Sequence, residues 1–227
     1  MNFLIEDISS TVSEFKLKSN PKGRYSSFDY CYGYFKNNIG DELINKMEHS
    51  CLSLGFYLAS WGMLRGSSFL LNKSIKHYEP TIEYISTIKK EVWDIDVDSY
   101  SEENIETIIE IYHNLKETLE VNNRSHLTLI TKVMLGVFGN TPAYDRYFVE
   151  TMKEVFGSRS GFSSLSKKSL RNIKVFYEVN QNSINDIANN TFIINFDNRQ
   201  KLKLNYTKAK IIDMYGFTKG LKQSQIK

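Results

Sequence analysis

The chain has 227 residues, with 29 Lys and Arg against 26 Asp and Glu and a net charge of +3. That length supports a substantial buried core, in one domain or two small ones. A 41% hydrophobic share, 13% aromatic residues and only three prolines exclude a disordered chain and suit a compact, helix-rich protein. Two cysteines, Cys31 and Cys51, are too few for a disulfide framework and read as buried thiols of a cytoplasmic protein.

The N-terminus lacks a basic region ahead of an apolar one, so no secretory signal is expected. Residues 2–18 have helical spacing, with Phe3, Ile5, Ile8, Val12 and Phe15 roughly on one side. Pro21 and Gly23 then mark a turn, and Ser26 or Ser27 can cap the next helix. Residues 28–35 form that short aromatic helix, ended by Asn37, Asn38 and Gly40. Its Phe28, Tyr30, Tyr32, Tyr34 and Phe35 suit a core, with base stacking as the functional alternative.

A long helical segment runs on from Asp41. Within it, residues 51–71 are apolar apart from one charge, Arg65. The uncharged part, 51–64, is 14 residues long, too short to cross a bilayer. It reads as a buried central helix, and no membrane partner is expected. Gly55, Ala59, Gly62 and Gly66 would line one face as a strip open to close packing. Arg65 would stand one helical turn from Trp61, able to lie against the indole and in need of a carboxylate, with Asp29 and Asp145 as candidates.

A helix over 80–90 precedes an acidic stretch. Between His77 and Glu120 there are 12 acidic residues and three Lys or Arg; from Lys153 onward there are 14 basic residues and five acidic. A basic C-terminal third suits phosphate-rich partners and an acidic middle repels them. Asp94, Asp96 and Asp98 have the early spacing of a calcium loop, but Ser99 and Ile105 stand where that loop needs Gly and Glu. Four scattered histidines and two cysteines offer no zinc spacing, so neither metal nor cofactor is expected. Ser67 and Ser68 lack the flanking glycines and histidine of a nucleophile.

Ser99 or Ser101 starts the next helix, with Ile105, Ile108, Ile109, Tyr112 and Leu115 in period. After a polar break at Asn122 and Asn123, residues 127–138 read as a buried helix. Gly139 stops it, Pro142 opens the first turn of the next, and Asp145 falls in that turn, where the helix dipole favours its charge. One or two helices are expected over 163–182, then a β-hairpin over 191–206 and a helix from 207 to 215. A basic, mobile tail is expected over 221–227. In the hairpin region Arg199, Lys201, Lys203, Lys208 and Lys210 form the densest basic group, a candidate nucleic-acid surface. The fold class is mainly α: one globular multi-helix domain over 1–220 with a small C-terminal hairpin.

The stretch 128–148, an apolar helix followed by Phe138-Gly139, Pro142 and Asp145, resembles the corresponding segment of the helix-hairpin-helix DNA glycosylases. In that family the Asp opening the second helix is catalytic and promotes loss of an extruded base. The resemblance therefore implies a DNA partner and a base pocket at Asp145, with Trp61, Arg65, Lys132 and Arg146 around it. The family's glycine-rich hairpin has no counterpart in 120–127, and Lys132 lies further along its helix than the lysine of lyase-type members. Two functions are compatible with these residues. One is a non-enzymatic interaction or regulatory protein of bacterial or phage type, using the acidic 94–110 region to meet a protein partner. The other is a DNA-binding protein on a glycosylase-like helical scaffold.

Overall fold

The structure is a computed structural model that describes residue 5 and residues 7–121 and 126–226. Ten α-helices and one two-stranded sheet surround a contiguous hydrophobic cluster among the described residues, which makes the fold mainly α. The helices are α1 (Ile8–Leu17), α2 (Ser27–Asn37), α3 (Asp41–Asn45), α4 (Met47–Ser60), α5 (Glu79–Ser86), α6 (Glu102–Thr118), α7 (His126–Val137), α8 (Arg146–Phe156), α9 (Lys167–Asn189) and α10 (Lys208–Ile226). Strands β1 (Phe192–Ile194) and β2 (Lys201–Asn205) pair antiparallel just before α10.

Helix α7 lies at the centre: every residue from Leu129 to Val137 is buried, including Lys132. Tyr57 of α4 packs onto it at Gly136, where a side-chain carbon would collide with the tyrosine ring. Helices α8 and α10 approach as closely. A Cβ at Gly216 would strike Phe148, and one at Gly220 would fall on the Tyr147 carbonyl. Glycine is required at both positions because backbone and ring occupy the space that any side chain needs.

Several expectations are corrected. The long helix from Asp41 breaks at Lys46 and ends at Ser60, so residues 61–68 form a loop rather than a buried helix. Gly62 and Gly66 take positive φ of 76° and 60°, a left-handed conformation that ends helices instead of lining a helical face. Arg65 is consequently exposed and not one helical turn from Trp61. Pro142 is buried in the loop between α7 and α8, and Asp145 is the N-cap of α8 rather than part of its first turn. The last helix, expected over 207–215, runs on to Ile226 as α10, where Lys222 pairs with Glu14 and Gln223 bonds Glu154. The start of the helix expected over 2–18, with Phe3, lies outside the described residues, as does the polar break at Asn122 and Asn123.

The uneven charge is in large part matched inside the molecule. Arg171 of α9 forms two hydrogen bonds with Glu102 of α6, at 2.8 and 2.6 Å, and Lys167 pairs with Glu106. Lys208 reaches Asp98 at 2.9 Å and Lys36 reaches Asp94 at 3.2 Å. Asp96 holds the start of α10: its oxygens accept from the backbone of Lys208 (2.7 Å), Ala209 (3.0 Å) and Val97 (2.7 Å). The aspartates that suggest a calcium loop are therefore a helix cap and two surface ion pairs. Lys210, expected on a nucleic-acid surface, is buried: α10 turns it inward to Asp213 at 2.8 Å. Arg199, Lys201 and Lys203 are exposed on the hairpin.

Both cysteines are free and buried. No helix among the described residues is long and apolar enough to cross a membrane.

Candidate functional site

The loop that carries Asp145 is stitched to α7. Helix α7 ends on Gly139, whose φ of 66° lets its N–H reach back to Met134 (3.1 Å) and Leu135 (3.0 Å). The Thr128 hydroxyl donates to the Tyr144 carbonyl at 2.9 Å, and the Thr131 hydroxyl accepts from the Tyr144 N–H at 2.8 Å. Asp213 of α10 accepts from Ala143 N–H at 3.1 Å, and the Tyr100 phenol donates to Asn140 O at 2.5 Å. Four side chains from two helices and a turn thus fix one short loop, because its buried backbone groups have no ladder to join.

At its end Asp145 Oδ1 caps α8 by accepting from Phe148 N–H at 3.0 Å. Oδ2 faces Lys132 Nζ at 3.3 Å. The lysine side chain is 5% exposed and the aspartate 14%, so the pair sits at the floor of an opening rather than sealed in the core. The expected carboxylate partner of Arg65 is therefore taken by Lys132. Asp29, the other candidate, hydrogen-bonds Tyr206 instead.

Trp61 stands above this pair as the C-cap of α4. Three cations surround its ring: Lys132 Nζ at 4.9 Å, Lys210 Nζ at 5.3 Å and the Arg24 guanidinium at 5.5 Å from the centroid. Phe15 stacks at 6.3 Å, while Tyr25 and Phe217 meet it edge-on at 5.5 and 5.8 Å. The indole Nε1–H is shielded and has no acceptor among the described residues. Burial pushes the nearby Tyr57 phenol well above its ordinary pKa, and the carboxylates of Asp213 and Asp145 push it the same way.

A cleft of about 430 Å³ opens beside Trp61, lined by Arg24, Trp61, Met63, Arg65, Thr128, Lys132, Asp145, Arg146, Tyr147, Phe217 and Leu221. Trp61, Arg65, Lys132, Asp145 and Arg146 thus meet in one place. Arg199, Lys201, Lys203 and Lys208 do not line it. Arg24 escapes a reading of the sequence because it sits in a turn segment dominated by Pro21 and Gly23. Asp213 escapes it too, although the Lys210–Asp213 spacing of three residues on a helix signals a same-face pair.

Four cations and one carboxylate line the cleft. Lys132 already serves that carboxylate, and the exposed Arg24 and Arg65 have no carboxylate partner among the described residues. Among the described residues Arg146 has one carboxylate partner, Glu150, at 4.0 Å on the exposed face of α8. The arrangement can hold an anion by charge-assisted hydrogen bonds and a flat group against the indole. Among the described residues no group of three or more His, Cys, Asp and Glu is placed to bind a metal ion.

Compared with known proteins, the chain matches no family model, no curated protein and no solved structure.

Proposed function

We propose that the protein binds DNA through this cleft, holding one unstacked nucleotide of a strand. The phosphates meet Arg24, Arg65 and Arg146, and the base lies against Trp61. The observation that carries this reading is a cleft lined by three guanidinium groups and a tryptophan, with Arg24 over the indole and the one carboxylate already neutralised by Lys132. The cleft's volume is that of a small-ligand site, wide enough for a nucleotide and too narrow for a duplex.

Both oxygens of Asp145 are engaged within the protein, one as a helix cap and one by Lys132. That favours a role in shaping the cleft over a bond-breaking one, and the activity proposed is binding. The acidic 94–110 region is the weaker candidate for a contact surface, since Asp94, Asp96, Asp98, Glu102 and Glu106 are all engaged by basic or backbone partners.

The test is titration of single-stranded DNA, followed by Trp61 fluorescence against the constant signal of the buried Trp93. Three neutralised phosphates predict a log affinity that falls with log salt at a slope of about −2. Arg65→Ala or Arg146→Ala lowers the affinity and flattens that slope by about 0.7 each. Absence of binding at low salt, or a slope unmoved by both substitutions, would overturn the reading.

A further inference from the structure

A second and larger opening is lined in part by α2 and shares Arg24 with the first cleft. It is a groove of about 890 Å³ whose walls include Tyr30 and Tyr34 of α2, Leu52 and Phe56 of α4, and Phe196 of the hairpin turn. Leu52, Phe56 and Phe196 are among the few large hydrophobic residues left exposed, at 45%, 70% and 73%. Three such residues around one opening form a patch, where isolated ones need no explanation.

One wall residue is different in kind. Asp29 borders the groove, is 5% exposed, and its Oδ1 has no hydrogen-bond partner among the described residues. Its one side-chain hydrogen bond is to the Tyr206 phenol. A buried carboxyl oxygen without a donor costs on the order of 1–3 kcal/mol, so native structures rarely leave one so. The other charged residues of the groove and its histidine, Lys22, Arg24, His49 and Asp197, are exposed, and water and salt screen their charges, while burial pushes the Tyr30, Tyr34, Tyr57 and Cys31 groups up and keeps them neutral. Behind Asp29 stands Lys210, which acts on it through space while bonded to Asp213. Asp29 is thus the one shielded carboxyl of the groove, its Oδ1 lacks a donor, and the groove it borders is lined by aromatic side chains, whose faces attract cations.

We propose that this groove is a separate binding site for a small amphipathic cation, whose ammonium or amidinium group meets Asp29 while its apolar body lies against Tyr30, Tyr34, Phe56 and Phe196. This site shares Arg24 with the other cleft, and its Asp29 and aromatic wall take no part in the DNA reading.

Burial pushes the Asp29 carboxyl up to about 7, against the pull of Tyr206 and Lys210. In the free protein the carboxyl is therefore neutral below that value, and a cation is bound by the ionised form. Affinity for an amine that stays protonated must rise about tenfold between pH 6 and pH 8, as the ionised fraction does. The probes are phenethylamine and its neutral counterpart 2-phenylethanol, titrated by NMR chemical-shift changes. The amine is expected to bind about tenfold more tightly at pH 8 than at pH 6, and the alcohol to show no such pH dependence. Asp29→Asn should bring the amine down to the level of the alcohol and abolish its pH dependence. Phe196→Ser, at an exposed position that leaves the core intact, should weaken both probes about threefold or more. Equal affinity for amine and alcohol, a pH dependence that survives in Asp29→Asn, or indifference of both probes to Phe196→Ser would each overturn the proposal.

Discussion

Lys132 Nζ stands 3.3 Å from Asp145 Oδ2 and 4.9 Å from the centre of the Trp61 ring, so one nearly buried ammonium serves a carboxylate and an indole together. The pair joins the central helix to the cap of the next one, and its loss is felt in both places.

Lys132→Met removes the ammonium but keeps most of the length of the side chain. Breaking a fully buried pair costs about 3–5 kcal/mol, and because Asp145 retains some contact with water the expected loss is about 2–3 kcal/mol. Asp145→Asn keeps an acceptor for Phe148 N–H and should cost less. Urea unfolding of the two single variants and the double variant should show a coupling of about 1–2 kcal/mol. Strict additivity would mean that the two groups do not interact in solution.

Gly220→Ala puts a methyl group onto the Tyr147 carbonyl, which is backbone and has no rotamer to escape into. Overpacking of this kind costs about 1–3 kcal/mol, and the expected value lies at the upper end. Ser224→Ala, one turn further along α10, should change stability by no more than about 0.5 kcal/mol. Thermal unfolding that leaves both variants alike would show that α8 and α10 can part to admit the methyl group.

Asp29 sets a pH dependence with a definite sign. Its folded-state value of about 7 lies above the ordinary 3.8, so between these values the native state holds a proton that the unfolded chain has released. Stability is lost as pH rises through that window, by up to about 1.4 kcal/mol per pH unit from this group alone. The stability difference between Asp29→Asn and the parent protein should therefore grow in the variant's favour from pH 4 to pH 7 and level off above. A difference that is flat with pH, or grows the other way, would place Asp29 in the ionised form throughout.

Asp96→Ala leaves the first N–H groups of α10 without an acceptor, and hydrogen bonds to an ionised group are each worth about 1.5–3 kcal/mol. The expected loss is about 3 kcal/mol, with Asp96→Asn intermediate. Hydrogen exchange should accelerate first at Lys208 and Ala209; unchanged protection there would mean that the cap is dispensable.

The cleft is partly legible in the sequence because its members are out of place in their surroundings. Arg65 interrupts an apolar run, Lys132 sits inside an apolar helix, and Asp145 follows a helix stop. Polar groups in such company are retained for a partner or a site. The route by which they meet is not legible. Helical periodicity runs straight through Trp61 and Arg65, and only the left-handed turns at Gly62 and Gly66 swing the arginine out to the rim. The alternation Lys201–Leu202–Lys203–Leu204 is that of a strand, and its basic face does not extend to Lys210 because the period changes once α10 begins. Pairing between the acidic middle and the basic end depends on α6 and α9 packing side by side, which local pattern cannot reveal. Of the Asp29 groove the chain shows only the aromatic run of α2 around Asp29, since its other walls come from a turn, a second helix and a hairpin far apart in sequence.

The glycine contacts between α8 and α10 bear on how the cleft meets a guest. One wall, with Asp145, Arg146 and Tyr147, rides on α8, and the opposite one, with Phe217 and Leu221, rides on α10. Helices locked that tightly hold their walls at a set spacing, so little freedom remains there to be surrendered on binding. Adjustment to ligands of different shape falls to residues 61–68, whose Met63 and Arg65 form a lip not built on a helix.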